Sequence, residues 1–321
     1  MIKKNSCFII AEIAQAHNGS LEVAHDYIES LSKTGVDAVK FQTHIANSET
    51  TIHEPWRVKF SEQDKTRYDY WKRMEFTESQ WFELKEHADE VDLKFLSSPF
   101  SLEAVDLLNK LDVYAWKIAS GEFNNKQMLS SICETGKPIF LSTGMCSMSE
   151  IDIDIETIKS MSSSKFTLMQ CTSKYPTLAE DIGLNIINEF RERYNCPVGL
   201  SDHSGSIYTG IAAVTLGINI LEVHATFSKN DIGPDVTSSL TISEIKEMVD
   251  GIKFVERILE NPVDKDEMAE ELKPMRKIFR KSLVYNKKLE KGVKVTKEDL
   301  SYKKPGTGLP FEKLEDIIGK T

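Results

Sequence analysis

The sequence lacks an excess of positive charge, and this limits the partners that the protein can have. Its 321 residues carry 50 acidic and 40 basic side chains, for a formal net charge of -10. Because a sequence-independent grip on nucleic acid needs a basic surface, this balance argues against nucleic acid as a partner. It does not exclude small anionic substrates, since a few lysines that converge in a cleft can reverse the local sign.

Paired cysteines and long apolar runs are also absent. The five cysteines are odd in number, scattered and free of CxxC spacing, which is typical of a protein from a reducing cytoplasm. The apolar run that starts at Cys7 is short and is soon interrupted by Glu12, so neither a signal peptide nor a membrane span is predicted. We therefore expect a cytoplasmic protein without a membrane partner.

What the sequence does contain is a regular alternation of strand and helix patterns. Eight apolar segments are predicted as strands, and they are Cys7–Ala14, Asp37–Thr43, Lys94–Pro99, Tyr114–Ser120, Ile139–Thr143, Lys165–Cys171, Cys196–Asp202 and Asn219–Ala225. Helical patterns separate them, and capping boxes at Thr77–Gln80 and Thr241–Glu244 mark two helix starts. Eight such repeats within about 260 residues predict an α/β fold, a (β/α)₈ TIM barrel.

Two segments depart from this regular alternation. The stretch 44–75 has no clean period and is predicted as an extended loop that roofs a site; the alternative is a solvated excursion with a helical turn of its own. We expect residues 1–262 to form the barrel, 263–281 a linker and 282–321 a small C-terminal module. About forty residues are too few to hold a core alone, so this module should pack on the barrel, pack on a second chain or be part of a larger module.

Two histidines follow or end neighbouring strands. His203 comes directly after the seventh predicted strand, and His224 lies near the end of the eighth. Adjacent parallel strands lie roughly 5 Å apart, so the two imidazoles should leave the sheet side by side and could share a divalent metal. The alternative is that each histidine only hydrogen-bonds inside the core.

Lysines and hydroxyls also fall at the predicted strand ends. Lys40 and Lys117 have the parity of the barrel interior, where they would be costly without an anionic partner. Together with the serines they predict a site for a phosphate or a phosphorylated carboxylate, although each serine could instead cap the next helix. These serines are Ser98, Ser120, Ser142 and Ser201.

Carboxylates and one tyrosine complete the candidate site. Glu12 and Glu122 are candidate acid/base or hydroxyl-binding groups, or ion-pair partners of the two lysines. Asp235 lies in the loop after the eighth strand, near the histidines. Tyr175 could stack on a sugar ring or simply hold its loop.

Eight short motifs occur in order along the chain. They are Ala11-Glu-Ile-Ala-Gln-Ala-His-Asn-Gly19, Val39-Lys-Phe-Gln-Thr43, Ser97-Ser-Pro-Phe-Ser101, Lys117-Ile-Ala-Ser-Gly-Glu122, Leu141-Ser-Thr-Gly-Met145, Cys171-Thr-Ser-Lys-Tyr-Pro176, Gly199-Leu-Ser-Asp-His-Ser204 and Gly233-Pro-Asp235. Together they resemble the motifs of a known family, the sialic acid (nonulosonate) synthases, which condense phosphoenolpyruvate with an N-acylated hexosamine. The resemblance runs from about residue 7 to residue 320. Residues 306–320 resemble the start of the family's antifreeze-like (SAF) domain, so 282–321 is expected to be a partial SAF domain.

The resemblance implies a role for each matching residue. His203 and His224 match the ligands of a Mn²⁺ or Mg²⁺ ion, and Glu12, Glu122, Tyr175 and Asp235 match positions around the sugar and its aldehyde. The positions that match the phosphoenolpyruvate site are Lys40, Gln42, Ser98, Lys117, Ser120, Ser142 and Ser201. Among these, Glu12, Lys117, Glu122 and Asp235 are the candidate catalytic residues.

The resemblance also implies a metal-dependent transferase that forms a carbon–carbon bond, with phosphoenolpyruvate and an amino sugar as its partners. N-acetylmannosamine is the default acceptor, and di-N-acetylated 6-deoxyhexoses, which lead to pseudaminate or legionaminate, are the alternatives. A metal-dependent hydrolase and a catalytically silent binding paralogue are alternatives from other classes. A homodimer is expected, with the SAF domain of one chain covering the partner's barrel and presenting an Arg to the N-acyl group.

Three positions depart from the family pattern, and all three concern the sugar. Lys304 stands where that Arg is expected, so a point charge replaces planar two-point recognition. Ser173 stands where the N-acetylneuraminate-forming members often carry Asn, and Val236 replaces the usual His after Gly-Pro-Asp. The choice of sugar is therefore left open, while the reaction type is unaffected.

Overall fold

The computed structural model describes residues 6–161 and 165–321. They form two compact units, Met1–Glu260 and Asn261–Thr321. No helix in the described part of the chain is long and apolar enough to cross a membrane.

The first unit is built on a closed parallel barrel. Its first eight strands are hydrogen-bonded in sequence order, and pairing of the first with the eighth closes the barrel. A ninth strand pairs in parallel with the end of the eighth. The strands are β1 (Phe8–Ala14), β2 (Ala38–Thr43), β3 (Lys94–Pro99), β4 (Trp116–Ile118), β5 (Ile139–Ser142), β6 (Phe166–Cys171), β7 (Val198–Asp202), β8 (Ile220–Thr226) and β9 (Ser239–Thr241). The predicted TIM barrel is confirmed.

Helices connect these strands. They are α1 (Leu21–Ser32), α2 (Ala46–Glu49), α3 (Arg67–Met74), α4 (Glu78–Glu90), α5 (Leu102–Lys110), α6 (Lys126–Glu134), α7 (Met148–Met161), α8 (Asn185–Tyr194), α9 (Ile207–Thr215) and α10 (Ile242–Glu260). Both predicted capping boxes form: the side chains of Thr77 and Gln80 accept from each other's backbone N–H before α4, and Thr241 and Glu244 do the same before α10.

Two apolar layers hold the barrel together, one on each side of the sheet. The outer layer lies between the strands and the helices, and it takes alternate residues of each strand, such as Ile9 and Ala11 of β1. The inner layer fills the barrel at the amino ends of the strands; its buried members are Phe8, Ile10, Ala38, Leu96, Ala115, Phe140, Met169 and Ile220. Because side chains alternate along a strand, the next inward positions lie towards the carboxyl ends, where the polar residues stand.

The structure differs from the prediction in the stretch 44–75, which is not an extended loop throughout. It contains α2 and α3, and Thr66 caps α3 with a reciprocal bond to Asp69. Tyr70 and Trp71 of α3 are buried against Trp56 and other aromatic residues of the same stretch. The mixed pattern concealed this helix because its apolar residues pack within the segment rather than on the barrel.

Two further differences lie at strand ends. β4 is shorter than predicted, because the chain turns into a 3₁₀ helix at Ser120–Glu122 directly after it. β9 was not predicted, since a strand of three residues gives almost no periodic signal.

The second unit is small. It contains the helices α11 (Lys265–Glu271) and α12 (Lys273–Phe279), the antiparallel pair β10 (Ser282–Tyr285) and β11 (Leu300–Lys303), and the short α13 (Leu314–Ile317). The stretch 263–281, predicted as a linker, therefore contains two helices, and Asp264 caps the first of them.

Candidate active site

A cavity of about 550 Å³ opens at the carboxyl ends of the barrel strands. It gathers residues that are far apart in the chain, because every strand delivers its last inward side chains to the same place. Fourteen of the residues predicted for the site line it, and they are Glu12, Lys40, Gln42, Ser98, Lys117, Ser120, Glu122, Ser142, Ser173, Tyr175, Ser201, His203, His224 and Asp235.

Lys304, the remaining predicted site residue, belongs to the second unit. It follows β11 directly, and its ammonium lies 5.1 Å from the ring centroid of Phe279 on α12. Its predicted role in the site stays a prediction.

Lys40 and Lys117 form the floor of the cavity, and both are buried. The Lys40 ammonium forms an ion pair with Glu12 and donates a hydrogen bond to Ser98 Oγ at 3.2 Å. The Lys117 ammonium donates to Ser142 Oγ at 2.7 Å. The register of the sheet explains the ion pair, since Glu12 and Lys40 are partners across β1 and β2.

Glu222 lies between the two lysines. Its Oε1 is 3.4 Å from the Lys117 ammonium, its Oε2 is 3.8 Å from the Lys40 ammonium, and Ser201 Oγ donates to Oε1 at 3.0 Å. The lysines thus have carboxylate partners within the protein, so their burial alone does not require an anionic ligand. For Glu12, the ion-pair alternative raised from the sequence is the arrangement that the structure contains.

Burial and neighbouring charges shift the pKa values on this floor. Burial lowers the pKa of Lys40 to about 7, although the attraction of Glu222 acts in the opposite direction. Burial would raise the pKa of Glu222, but the charges of Lys117 and Lys40 outweigh it and lower this pKa to about 2. Glu222 is therefore a carboxylate at neutral pH, whereas Lys40 can lose its proton there.

His203 and His224 meet above the floor, with ring centroids 5.2 Å apart. His203 Nδ1 lies 3.0 Å from the backbone oxygen of Thr172. A carbonyl can only accept, so this nitrogen carries a proton and Nε2 is the nitrogen left to bind a metal. Burial would lower the pKa of His203, but its hydrogen bonds to Cys171 and Thr172 outweigh burial and raise this pKa above its usual value. Burial holds the pKa of His224 well below its usual value, so that ring is neutral.

Two imidazoles side by side can hold a divalent cation when neither ring is protonated at the coordinating nitrogen. Within 6–161 and 165–321, no group of three or more His, Cys, Asp or Glu side chains is arranged to hold a metal. The protein would thus supply two ligands, and water or substrate the remainder, which suits a cation that keeps part of its hydration shell. His203 and His224 are the residues that would hold it.

Glu122 stands on the cavity wall, in the 3₁₀ turn after β4. Asn125 donates a hydrogen bond to its Oε2 at 3.0 Å. Burial raises the pKa of Glu122 above that of an ordinary glutamate. A raised pKa is the direction expected of a carboxyl group that holds and releases a proton during catalysis.

Comparison with known proteins shows the family of this chain. The model of the NeuB family matches residues 27–264. The chain belongs to the NeuB family. The resemblance inferred from the motifs is thereby confirmed at the level of the family.

Relatives in the NeuB family span several products. The N,N'-diacetyllegionaminic acid synthase of Legionella pneumophila is 33% identical over 98% of this chain and 90% of its own length. The N-acetylneuraminate-9-phosphate synthase of Homo sapiens is 34% identical over 99% of this chain and 89% of its own length. A crystal structure of N-acetylneuraminic acid synthetase from Leptospira borgpetersenii, in complex with citrate, superimposes with a TM-score of 0.73 at 28% identity. The superposition covers 83% of this chain and 90% of the Leptospira chain.

Asp235 of this NeuB-family chain has a cationic partner that sequence reasoning did not select. Arg57, from the stretch between α2 and α3, donates to Asp235 Oδ1 at 2.8 Å and to the backbone oxygen of Pro234 at 3.0 Å. Its guanidinium carbon lies 4.1 Å from the ring centroid of Tyr175. Nothing in the local sequence pattern singles out Arg57, because its partners are more than a hundred residues away.

A second group of lining residues was also missed. The Gln15 amide donates to Gln42 Oε1 at 2.7 Å and lies 2.8 Å from His44 Nε2, while His44 Nδ1 lies 2.7 Å from Glu49. The His44 ring is stacked on Trp71, with centroids 3.9 Å apart. The motif around Gln42 could have pointed to His44, which follows it by two residues.

Gly144, after β5, leaves space for three site side chains. A Cβ at this position would overlap Ser173 Oγ and would lie 2.7 Å from Cys171 Sγ and 3.0 Å from Ser120 Oγ. The Gly144 N–H also donates to Ser120 Oγ at 2.8 Å. The absence of a side chain here is thus what brings Ser120 and Ser173 together.

Proposed function

We propose that this chain is a transferase that condenses phosphoenolpyruvate with an N-acylated hexosamine and releases phosphate and a nine-carbon, sialic acid-type sugar. The observation that carries the proposal is the layered cavity: two lysines with hydroxyl partners on the floor, and two adjacent imidazoles above them. Membership of the NeuB family supports the same reaction class, because the relatives named above are synthases of such sugars.

Phosphoenolpyruvate would occupy the floor. Lys40 and Lys117 are ammonium donors suited to its phosphate, and the hydroxyls of Ser98 and Ser142 already lie within hydrogen-bond distance of those ammonium groups. Ser120, Ser201 and Gln42 line the same cavity and would bind the remaining oxygens. Donors fixed before the reaction would also stabilise the charge that develops as phosphate leaves.

The acceptor sugar would lie above, against the histidines. A divalent cation, Mn²⁺ or Mg²⁺, held by His203 and His224 would supply Lewis-acid polarisation of the sugar aldehyde. Tyr175 and Asp235 border the histidines, with Tyr175 and His203 ring centroids 4.3 Å apart and Asp235 Oδ2 3.9 Å from His224 Nδ1. We expect them to bind the hydroxyl and amide groups of the sugar.

Proton transfer is assigned to Glu122 rather than to Glu12. Glu12 is already engaged, because it pairs with the Lys40 ammonium and accepts the backbone N–H of Ala14 at 2.8 Å. Glu122 faces the cavity with a raised pKa, so it can hold a proton and release it during turnover.

The identity of the sugar is proposed by default as N-acetylmannosamine, with the di-N-acetylated 6-deoxyhexoses as alternatives. The human and Legionella relatives are named as synthases of different products, yet their sequences are almost equally identical to this chain, 34% and 33%. Identity therefore does not select the acceptor. The proposal includes a homodimeric enzyme, which light scattering of the purified chain tests.

The experiment is a phosphate-release assay with Mn²⁺, phosphoenolpyruvate and a panel of N-acetylmannosamine and di-N-acetylated 6-deoxyhexoses. We expect release only when phosphoenolpyruvate and one of the sugars are both present, with a nine-carbon product by mass spectrometry. Release from phosphoenolpyruvate alone would indicate a hydrolase instead. No release with any sugar, together with no rise of Tm on adding phosphoenolpyruvate, would indicate a silent binding protein.

A matched pair of variants tests the assignment of the proton-transfer group. Glu122→Gln should lower kcat by 10²-fold or more, since general acid–base catalysis contributes roughly 10²–10⁴-fold, while the Tm stays close to wild type. Glu156→Gln, on the exposed side of α7, should be unchanged. A Glu122→Gln variant with wild-type kcat would overturn the assignment of Glu122 as the proton-transfer group, but it would not contradict the proposed reaction.

A further inference from the structure

Arg57 contacts two of the residues that pack on the histidine pair, Asp235 and Tyr175. It donates to Asp235, whose other carboxylate oxygen lies 3.9 Å from His224 Nδ1. It also lies over the ring of Tyr175, which is tilted against His203 with ring centroids 4.3 Å apart. One guanidinium therefore joins the two sides of the acceptor half of the cavity.

These contacts connect three separate parts of the barrel unit. Arg57 comes from the stretch between β2 and β3, Tyr175 follows β6, and Asp235 follows β8. The planar guanidinium suits this junction, because it can stack on an aromatic face and donate in its own plane at the same time, which an ammonium cannot do. With 38% of its side chain exposed, Arg57 lies at the mouth rather than in the core.

We propose that Arg57 is a positioning residue for the acceptor sugar: it fixes the carboxylate of Asp235 and the ring of Tyr175, and through them the side of the cavity where the sugar meets the histidines. This inference rests on the proposed function. It gives a guanidinium of the barrel unit a role in sugar binding, and this role does not depend on Lys304.

Charge separates this role from binding of phosphoenolpyruvate. Arg57 is paired with a carboxylate, so it adds little net positive charge for an anion. Lys40 and Lys117 form the floor where phosphoenolpyruvate would bind. Their ammonium groups interact with the carboxylates of Glu12 and Glu222 and with serine hydroxyls. Loss of Arg57 should therefore affect the sugar and leave phosphoenolpyruvate binding intact.

The test compares Arg57→Met, Arg57→Lys and a matched control in steady-state kinetics with Mn²⁺, phosphoenolpyruvate and the acceptor that the wild-type protein uses. The control is Arg193→Met, because Arg193 also pairs with an aspartate, Asp152, and lies 5.9 Å from the ring of Tyr194, but on the outer helices. Arg57→Met should raise KM for the sugar at least tenfold and lower kcat, with KM for phosphoenolpyruvate within twofold. Arg57→Lys should show an intermediate loss, and Arg193→Met wild-type values.

A double-variant cycle tests whether Arg57 acts through Asp235. If it does, Arg57→Met should lower kcat/KM for the sugar by a smaller factor in an Asp235→Ala background than in wild type, because the pairing with Asp235 is already lost there and only the contact with Tyr175 remains. Full additivity of the two effects would overturn the proposal, as would equal rises of both KM values or an unchanged sugar KM in Arg57→Met.

The rise of Tm on adding phosphoenolpyruvate serves as the folding control. It should be the same in Arg57→Met as in wild type, and a variant that has lost it would contradict the positioning role. A wild-type protein that forms no product with any sugar would refute the proposed function instead, so the two failures are distinguishable.

Discussion

The imidazole rings of His203 and His224 lie with centroids 5.2 Å apart and planes inclined by 61°, at the ends of adjacent strands. His203 Nδ1 donates to the backbone oxygen of Thr172, and burial holds the pKa of His224 well below its usual value. Each ring can bind a metal once its coordinating nitrogen carries no proton, and both rings line the same cavity as the two lysines.

A first prediction concerns metal binding to these two rings. In chelator-treated protein, Mn²⁺ at about 100 times its Kd should stabilise the fold by about 2.7 kcal/mol, which raises Tm by several degrees. His203→Ala and His224→Ala should each remove this rise and the turnover, while the metal-free Tm stays near that of wild type. Scanning calorimetry with and without Mn²⁺ makes the measurement.

The control for the metal experiment is His53→Ala, since His53 is an exposed histidine of the stretch between α2 and α3. It should keep the full rise in Tm. Equal responses to Mn²⁺ in His53→Ala and His203→Ala would contradict the assignment of the site.

A second prediction concerns pH and Lys40. Burial lowers the pKa of this ammonium to about 7, so in the free protein its positive charge is present below pH 7 and is lost as the pH rises through that value. Because the charged form binds the phosphate, kcat/KM for phosphoenolpyruvate should fall about tenfold per pH unit on the alkaline side. A pH–rate profile from pH 6 to 9 measures this.

Lys40→Arg provides the comparison, because a guanidinium stays charged throughout that range. Its own kcat/KM for phosphoenolpyruvate, whatever its absolute value, should be flat between pH 7 and 8.5. An alkaline limb that persists unchanged in this variant would show that another group is responsible.

The sequence was sufficient for the barrel and for most of the cavity. Strand periodicity gave β3 with the same bounds as the structure, and the inward parity of Lys40 and Gln42 held because a strand alternates strictly. Contacts between side chains of different strands were harder to predict from the sequence. The closed barrel places Glu222 of β8 between two lysines that lie on other strands, and no spacing along the chain indicates this.

Arg57 shows why the remainder could not be predicted. Its position depends on the packing of α3 and the aromatic residues around it, and on loops that follow β6 and β8. Such contacts join segments that have no common period, so neither spacing nor composition reveals them. The same limit explains why Glu12 could not be separated from Glu122 until their partners were known.

A third prediction concerns the stability provided by Glu222. Replacing it with Ala would leave the ammonium groups of Lys40 and Lys117 with one carboxylate fewer in a buried site. Breaking a buried ion pair by removing one partner costs roughly 3–5 kcal/mol, so Glu222→Ala should lower the urea midpoint markedly. Equilibrium urea unfolding, followed by circular dichroism, provides the free energy of unfolding.

Phosphoenolpyruvate should partly reverse that loss, because it returns negative charge to the same lysines. Its addition is expected to raise the Tm of Glu222→Ala by more than it raises that of wild type. Glu83→Ala, which removes an exposed carboxylate from α4, should behave as wild type in both measurements. A Glu222→Ala protein as stable as the Glu83→Ala control would refute the idea that the carboxylate offsets the two buried charges.

A fourth prediction concerns Gly144, where the cost of a methyl group should appear in activity rather than in stability. A Cβ there would press on the ends of three side chains, those of Ser120, Cys171 and Ser173, which can move without displacing backbone. Gly144→Ala should therefore change Tm by less than about 3 °C, yet lower kcat/KM at least tenfold, because small displacements of binding groups are costly in catalysis. Gly251→Ala is the matched control: its Cβ would also meet a flexible end, Ile211 Cδ1 at 2.8 Å, but on the outer helices. Steady-state kinetics and thermal melts of both variants make the measurement, and the control should have the wild-type kcat/KM. If Gly144→Ala also has the wild-type kcat/KM, the positions of Ser120 and Ser173 do not matter for activity.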